Sequence, residues 1–169
     1  MVEAQKPTLG YWTIRGMGAQ CTYLLAYCGA DYTLKEYQAT FIDGKRELGG
    51  WKEEKFNLGI GFPNLPYFLD GDIKIAETMP LMRYICNKYK PELLGSNPKE
   101  KAEIDMLSAV VHDLKLNCLT YPFYRHGDRA KIDEDSKARL EPIVKWLDGK
   151  QYLMGDNLCY LDFIMFEIC

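Results

Sequence analysis

Long apolar runs are missing from this chain of 169 residues. No stretch approaches the roughly eighteen uncharged apolar residues that a membrane-spanning helix needs. The opening MVEAQKPTLGYW has no basic segment followed by an apolar one, so neither a spanning helix nor a secretory leader is expected. Blocks of like charge are missing too: 21 basic and 24 acidic side chains are interspersed to a net charge of -3, which leaves no stripe for nucleic acid or an anionic membrane surface. Histidine is scarce. His112 and His126 are the only two, and none of the six cysteines (Cys21, Cys28, Cys86, Cys118, Cys159, Cys169) forms a CxxC pair or lies at ligand spacing from either, so no metal site is expected. Those cysteines sit among apolar neighbours, as small buried hydrophobes do in a reducing cytosol, and the expected location is cytoplasmic. Internal repeats and low-complexity tracts are also absent.

What is present is enough apolar material for a core, 47% hydrophobic and 13% aromatic residues, in a length that suits one or two compact units. Leu9 to Ile14 reads as a short strand running into the turn at Arg15-Gly16, and Met17 to Gly29 as a helix with Leu24, Leu25, Tyr27 and Cys28 on a helical period. Tyr32 to Tyr37 alternates like a half-buried strand. With a helix between them, the two strands are expected to pair in parallel as a right-handed βαβ unit. Ala39 to Gly61 turns polar and rich in glycine, with Trp51 and Phe56 as anchors, and is expected to be a long loop holding one helical turn around Trp51 to Lys55. A strand from Pro63 to Leu69, the Asp70-Gly71 turn and Ile73 to Ile75 make a hairpin, and Glu77 to Tyr89 returns to helical spacing. Pro91, Gly95, Ser96, Asn97 and Pro98 form the strongest linker signal, so the expected division is a domain over 1–90, a linker over 91–98 and a helical domain over 99–169. In the latter, helices are expected over Glu100 to Leu119 and over Asp133 to Leu147, interrupted or restarted at Pro142. A turn over Leu153 to Asn157 then leads to a centrally buried helix over Leu161 to Cys169, which is apolar nearly all round.

The residues are more specific than this pattern. Leu9-Gly10-Tyr11-Trp12-Thr13-Ile14-Arg15-Gly16, then Trp51 with Lys55, then Phe62-Pro63-Asn64-Leu65-Pro66-Tyr67 and Asp70-Gly71 resemble the mu class of the cytosolic glutathione transferases. Lys101 to Leu107 and Gly155-Asp156-Asn157 before the last apolar helix extend the likeness over nearly the whole chain. The resemblance implies an α/β thioredoxin-like first domain (βαβ-ββα) that holds glutathione, and an all-α second domain that completes a pocket for a hydrophobic electrophile. It implies no cofactor, since glutathione is a co-substrate, and it implies a homodimer.

By that resemblance Tyr11 is the catalytic residue, its hydroxyl donating to the glutathione sulfur; taken alone it reads first as a partly buried strand tyrosine. Pro66 resembles a cis-proline that turns Leu65 toward the cysteinyl part of the peptide, while a trans proline at a strand edge is the other reading. Asn64 would contact the tripeptide backbone. Glu77 and Thr78 stand where the family has Gln-Ser at a helix start, a departure that still suits an α-amino group and a carboxylate, or that serves as an ordinary helix cap. Trp12, Trp51 and Lys55 would form the wall and cationic contact for the glycine end, or else anchor a loop beside a solvated lysine. Asp105 would reach the glutathione of a neighbouring subunit, or stand as an exposed helix carboxylate. Met17, with Tyr121 or Tyr124, would line the electrophile pocket. The family continues for several dozen residues past the equivalent of Cys169, and an end there would expose Phe163, Ile164, Phe166 and Ile168. Cys159, where the family caps this helix with Ser or Thr, is a poor cap. Both departures keep open a second role, a structural subunit of a larger assembly that retains the fold, with or without glutathione binding.

Overall fold

The computed structural model describes residues 5–38, 40–42, 45–120 and 129–168, and its contacts divide the chain into two units, Met1–Ile85 and Cys86–Cys169. In the first unit, β1 (Thr8–Trp12) is followed by α1 (Ala19–Tyr27) and β2 (Thr33–Tyr37), and β1 and β2 pair in parallel, Leu9 opposite Leu34 and Trp12 opposite Tyr37. Two short strands, β3 (Thr40–Ile42) and β4 (Lys45–Glu47), form a separate antiparallel hairpin before the one-turn helix α2 (Trp51–Glu54). The expected long loop therefore carries a hairpin that its polar, glycine-bearing composition conceals, because the pairing satisfies backbone groups without a hydrophobic alternation to announce it. A second hairpin, β5 (Tyr67–Asp70) and β6 (Ile73–Ala76), turns through Gly71 at φ +59° and leads into α3 (Thr78–Tyr89).

The sheet runs β2-β1-β5-β6, with β5 antiparallel to both neighbours, which is the βαβ-ββα arrangement the residues imply. Leu9, Leu24, Leu25, Phe68, Leu81, Met82 and Ile85 are withdrawn from solvent completely. A second cluster gathers Tyr11, Tyr37, Trp51, Ile60, Leu65 and Tyr67. At about 25 cal/mol per Å² of apolar area, rings of this size dominate the local packing energy. Gly10 makes their arrangement possible, for a Cβ there would collide with the ring of Tyr67.

The second unit is helical. A 3-10 turn over Pro91–Leu94 precedes α4 (Pro98–Lys115), which starts with the Asn97 side chain accepting from the Glu100 N–H at 3.0 Å while the Glu100 carboxylate accepts from the Ser96 N–H at 2.7 Å. Ser96, Asn97 and Pro98, part of the expected linker, are thus also a helix cap with proline at the first helical position. A π-helical turn over Leu116–Thr120 extends α4, and α5 (Arg129–Leu147) runs on with Pro142 inside it rather than breaking there. The last helix, α6 (Asp162–Ile168), buries Ile164 and Met165 but leaves Phe166 71% exposed, so it is half-buried instead of buried all round. Its cap is acidic: the Asp162 carboxylate accepts from the N–H groups of Leu153 at 2.9 Å and Cys159 at 2.8 Å. Among the described residues no helix is long and apolar enough to cross a membrane, and no group of His, Cys, Asp and Glu could hold a metal ion.

Candidate functional site

Tyr11 sits next to the end of β1, where parallel pairing to β2 persists one residue further through the Thr13 N–H donating to the Tyr37 carbonyl at 2.9 Å. The chain then wraps back over the Tyr11 ring. Gly16 adopts φ +36°, a Cβ on it would lie 2.6 Å from the Tyr11 hydroxyl oxygen, and a Cβ on Gly18 would overlap the ring itself. Glycine at both positions lets the backbone approach, and the result is a bond: the Met17 N–H donates to Tyr11 Oη at 2.6 Å. Tyr11 is 7% exposed.

The backbone of Met17 is held on its carbonyl side as well. Its carbonyl accepts from Gln20 Nε2 at 2.7 Å and from Thr78 Oγ1 at 2.9 Å. Gln20 and Thr78 are both buried. Thr78 opens α3, so this one carbonyl ties the β1–α1 turn to the start of the third helix. The Thr78 hydroxyl, expected to favour a carboxylate, donates to this carbonyl in the structure.

Glu77, one residue earlier, is the one described non-glycine residue with positive φ, at +76°. A left-handed backbone at such a residue costs on the order of 1–2 kcal/mol and persists where surrounding bonds over-determine it. Here its N–H donates to the Pro66 carbonyl at 3.1 Å, and its carboxylate accepts from Asn64 Nδ2 at 2.8 Å. The Leu65–Pro66 peptide is cis. Leu65 and Pro66 are buried while Asn64 and Glu77 are exposed, so a polar rim stands over an apolar floor.

The second aromatic wall is built from α2. Trp51 is 5% exposed and stacks on Tyr67 with centroids 6.0 Å apart at 14°, and Trp12 meets it edge-on at 6.5 Å. Trp51 is thereby chiefly a packing residue that fixes the loop, with little surface left for a ligand. Lys55 follows α2 directly, half-buried, its ammonium 4.7 Å from the Phe56 ring centroid. A cavity of about 350 Å³ also opens against Tyr11, lined by Trp12, Ile14, Arg15, Tyr23, Leu34 and others.

The first unit therefore brings Tyr11, Met17, Asn64, Leu65, Pro66, Glu77 and Thr78 into one bonded constellation, with Trp12 and Trp51 packed against its floor. Asp105 belongs to the second unit, exposed on α4, its carbonyl accepting from Ser108 Oγ at 2.8 Å. Tyr121 and Tyr124 lie outside the described residues. Gly18 and Gln20 are not singled out by the sequence, and Gly16 is read there only as part of the turn after β1. Gly16 and Gly18, two glycines in the three residues before a helix, were the signal that a backbone must come close to something there.

The profile of the glutathione S-transferase N-terminal domain matches residues 7–87. A glutathione S-transferase of Tyrophagus putrescentiae is 34% identical over 97% of this chain and 74% of its own length. The class-mu 26 kDa isozyme of Schistosoma mansoni is likewise 34% identical, over 95% of this chain and 71% of its own. The chain belongs to the glutathione S-transferase family, in its mu class. Among solved structures, the glutathione S-transferase Blo t 8 superposes with a TM-score of 0.75 at 27% identity, covering 95% of this chain and 74% of that one. This glutathione S-transferase chain carries Glu77-Thr78 at the start of α3, with the Thr78 hydroxyl donating to the Met17 carbonyl.

Proposed function

We propose that this chain conjugates reduced glutathione to hydrophobic electrophiles, with Tyr11 stabilising the thiolate. The observation that carries the reading is the bond from the Met17 N–H to Tyr11 Oη, made by a residue whose own carbonyl Gln20 and Thr78 hold. An ordinary thiol with pKa about 8.5 is only a few per cent ionised at neutral pH. A phenol that donates to the sulfur favours the anion, and an N–H aimed at the phenol oxygen makes that donation stronger by favouring negative charge on oxygen. The thiolate then attacks the electrophilic carbon, an S–C bond forms, and the displaced group leaves with its electron pair. Leu65, presented before the cis peptide, pairs with the cysteinyl backbone; Asn64 contacts that backbone; the α-ammonium meets Glu77; its carboxylate meets the start of α3; Lys55, with Trp12 and Trp51 behind it, meets the glycine carboxylate. Met17 and the apolar wall beside Tyr11 receive the electrophile. No cofactor enters the reaction.

The measurement is turnover of a generic aromatic halide with glutathione. Tyr11→Phe lowers kcat about 10²–10³-fold, the usual effect of losing one aimed donor, while the Kd for glutathione stays within roughly threefold. Unchanged turnover removes the mechanism. We place the protein in the cytosol as a homodimer in which Asp105 serves the neighbouring subunit's site. A subunit of a larger assembly is the second reading, favoured by Phe62 at 90% and Phe56 at 75% exposure, apolar surface that a partner would cover. Sedimentation of the purified protein separates them: a dimer of this chain alone supports the first, and a stable place in a hetero-complex from native source the second.

A further inference from the structure

We propose that Glu54 is a positioning residue for the glycine end of the bound peptide, acting by clamping the one-turn helix α2, and with it Lys55, to the sheet through Tyr37 and Lys35. The inference rests on the glutathione reading above and extends it to residues that do not touch the ligand.

A four-residue helix cannot hold itself, since nucleation is unfavourable and propagation too short to repay it. The start of α2 has no side-chain cap, and Gly50 enters it at φ +78°. Two anchors hold it instead. At its first residue Trp51 stacks on Tyr67, and at its last the Glu54 carboxylate accepts from Tyr37 Oη at 2.9 Å and pairs with Lys35 Nζ. Tyr37 Oη is also 2.9 Å from Tyr67 Oη. Each phenol has one proton; Tyr37 gives its own to Glu54, so Tyr67 is the donor in the second bond. A continuous chain of donors therefore runs from Tyr67, the residue after Pro66, through Tyr37 on β2 to the carboxylate on α2, joining the segment that carries Leu65 to the helix that precedes Lys55.

Charge gives Lys35 its part. Glu54 precedes Lys55 directly, and an unmatched carboxylate there would both attract the Lys55 ammonium and repel an incoming glycine carboxylate. The Lys35 ammonium matches it. The pair is 42% and 31% exposed at its two side chains, so solvent screens it; what it sets is direction more than stability.

The test is calorimetric titration of the full chain with glutathione and with γ-glutamylcysteine, which lacks the glycine. The wild-type chain is expected to prefer the tripeptide. In Glu54→Ala that preference falls on the order of tenfold, by weaker binding of glutathione with the dipeptide almost unaffected. Glu54→Gln, which still accepts from Tyr37, recovers part of it. Equal loss for both peptides, or no loss, overturns the inference. Should Glu54→Ala fail to fold, Tyr37→Phe severs the hydroxyl link alone and must also reduce the preference; an unchanged ratio there overturns it as well. Failure of the wild-type chain to bind either peptide would instead overturn the glutathione reading on which it rests.

Discussion

The tightest constraint at the scale of single residues is the space around the Tyr11 ring. Gly18 has no room for a methyl group beside that ring, whereas Gly29, at φ +63°, has nothing within 4 Å of where a Cβ would stand. The two glycines therefore fail differently when replaced. Gly18→Ala forces the turn or the ring to move, costs about 1–3 kcal/mol in the way overpacking does, and separates the Met17 N–H from Tyr11, so activity falls with stability. Gly29→Ala costs about 1 kcal/mol through backbone strain alone and leaves turnover intact. Thermal unfolding and turnover measured side by side check this, and a loss of turnover in both variants, or in neither, contradicts the geometry. The residues around Tyr11 in sequence were enough to single it out as a candidate. Gly18 was not singled out, because a glycine before a helix looks like any helix start until the ring beneath it is known.

At the scale of elements, the short ones depend on side chains reaching back to them. Helix α6 receives its start from Asp162 rather than from Cys159, whose thiol is pushed up from its ordinary pKa by burial first and then by the Asp162 charge. Asp162→Ala strands two N–H groups, at Leu153 and Cys159, and is expected to cost about 1–2 kcal/mol in denaturant unfolding; a change below about 0.3 kcal/mol would mean the cap is idle. For α2 the anchor titrates. Lys35, by its bond, holds the Glu54 carboxyl below the ordinary value of 4.5, and the Tyr37 hydroxyl adds to this while partial burial opposes it. A carboxyl depressed in the folded state stabilises fully above its unfolded pKa, and that contribution is lost as pH falls through the folded value. The groups facing it are Lys35 and Tyr37, with Tyr67 one bond beyond, and neither phenol titrates in that range since burial raises both. Glu54→Gln should therefore flatten the acid side of the melting-temperature profile, and an unaltered slope would show that the pair does not contribute. The hairpin β3–β4 and the carboxylate cap of α6 were both illegible beforehand, for one reason: each is decided by backbone groups finding partners, which leaves no periodic trace in residue type.

For the molecule as a whole, order along the chain carried most of the information. The parallel β1–β2 pair, the β5–β6 hairpin and the helical second unit follow from where apolar periods change and where glycine and proline interrupt them. The resemblance implied a site at Tyr11, Trp51, Lys55, Asn64, Leu65, Pro66, Glu77 and Thr78. What spacing could not show was that the Thr78 hydroxyl donates to the Met17 carbonyl, and so links α3 to the residue whose N–H bonds the phenol. The account consequently stands on how Tyr11 treats sulfur. Its most direct test is a pH titration of the thiolate ultraviolet absorbance of glutathione bound to the wild-type chain and to Tyr11→Phe. The wild-type complex should ionise well below the free-thiol value of about 8.5, and the variant should return close to it. The same midpoint in both complexes would contradict the role assigned to Tyr11.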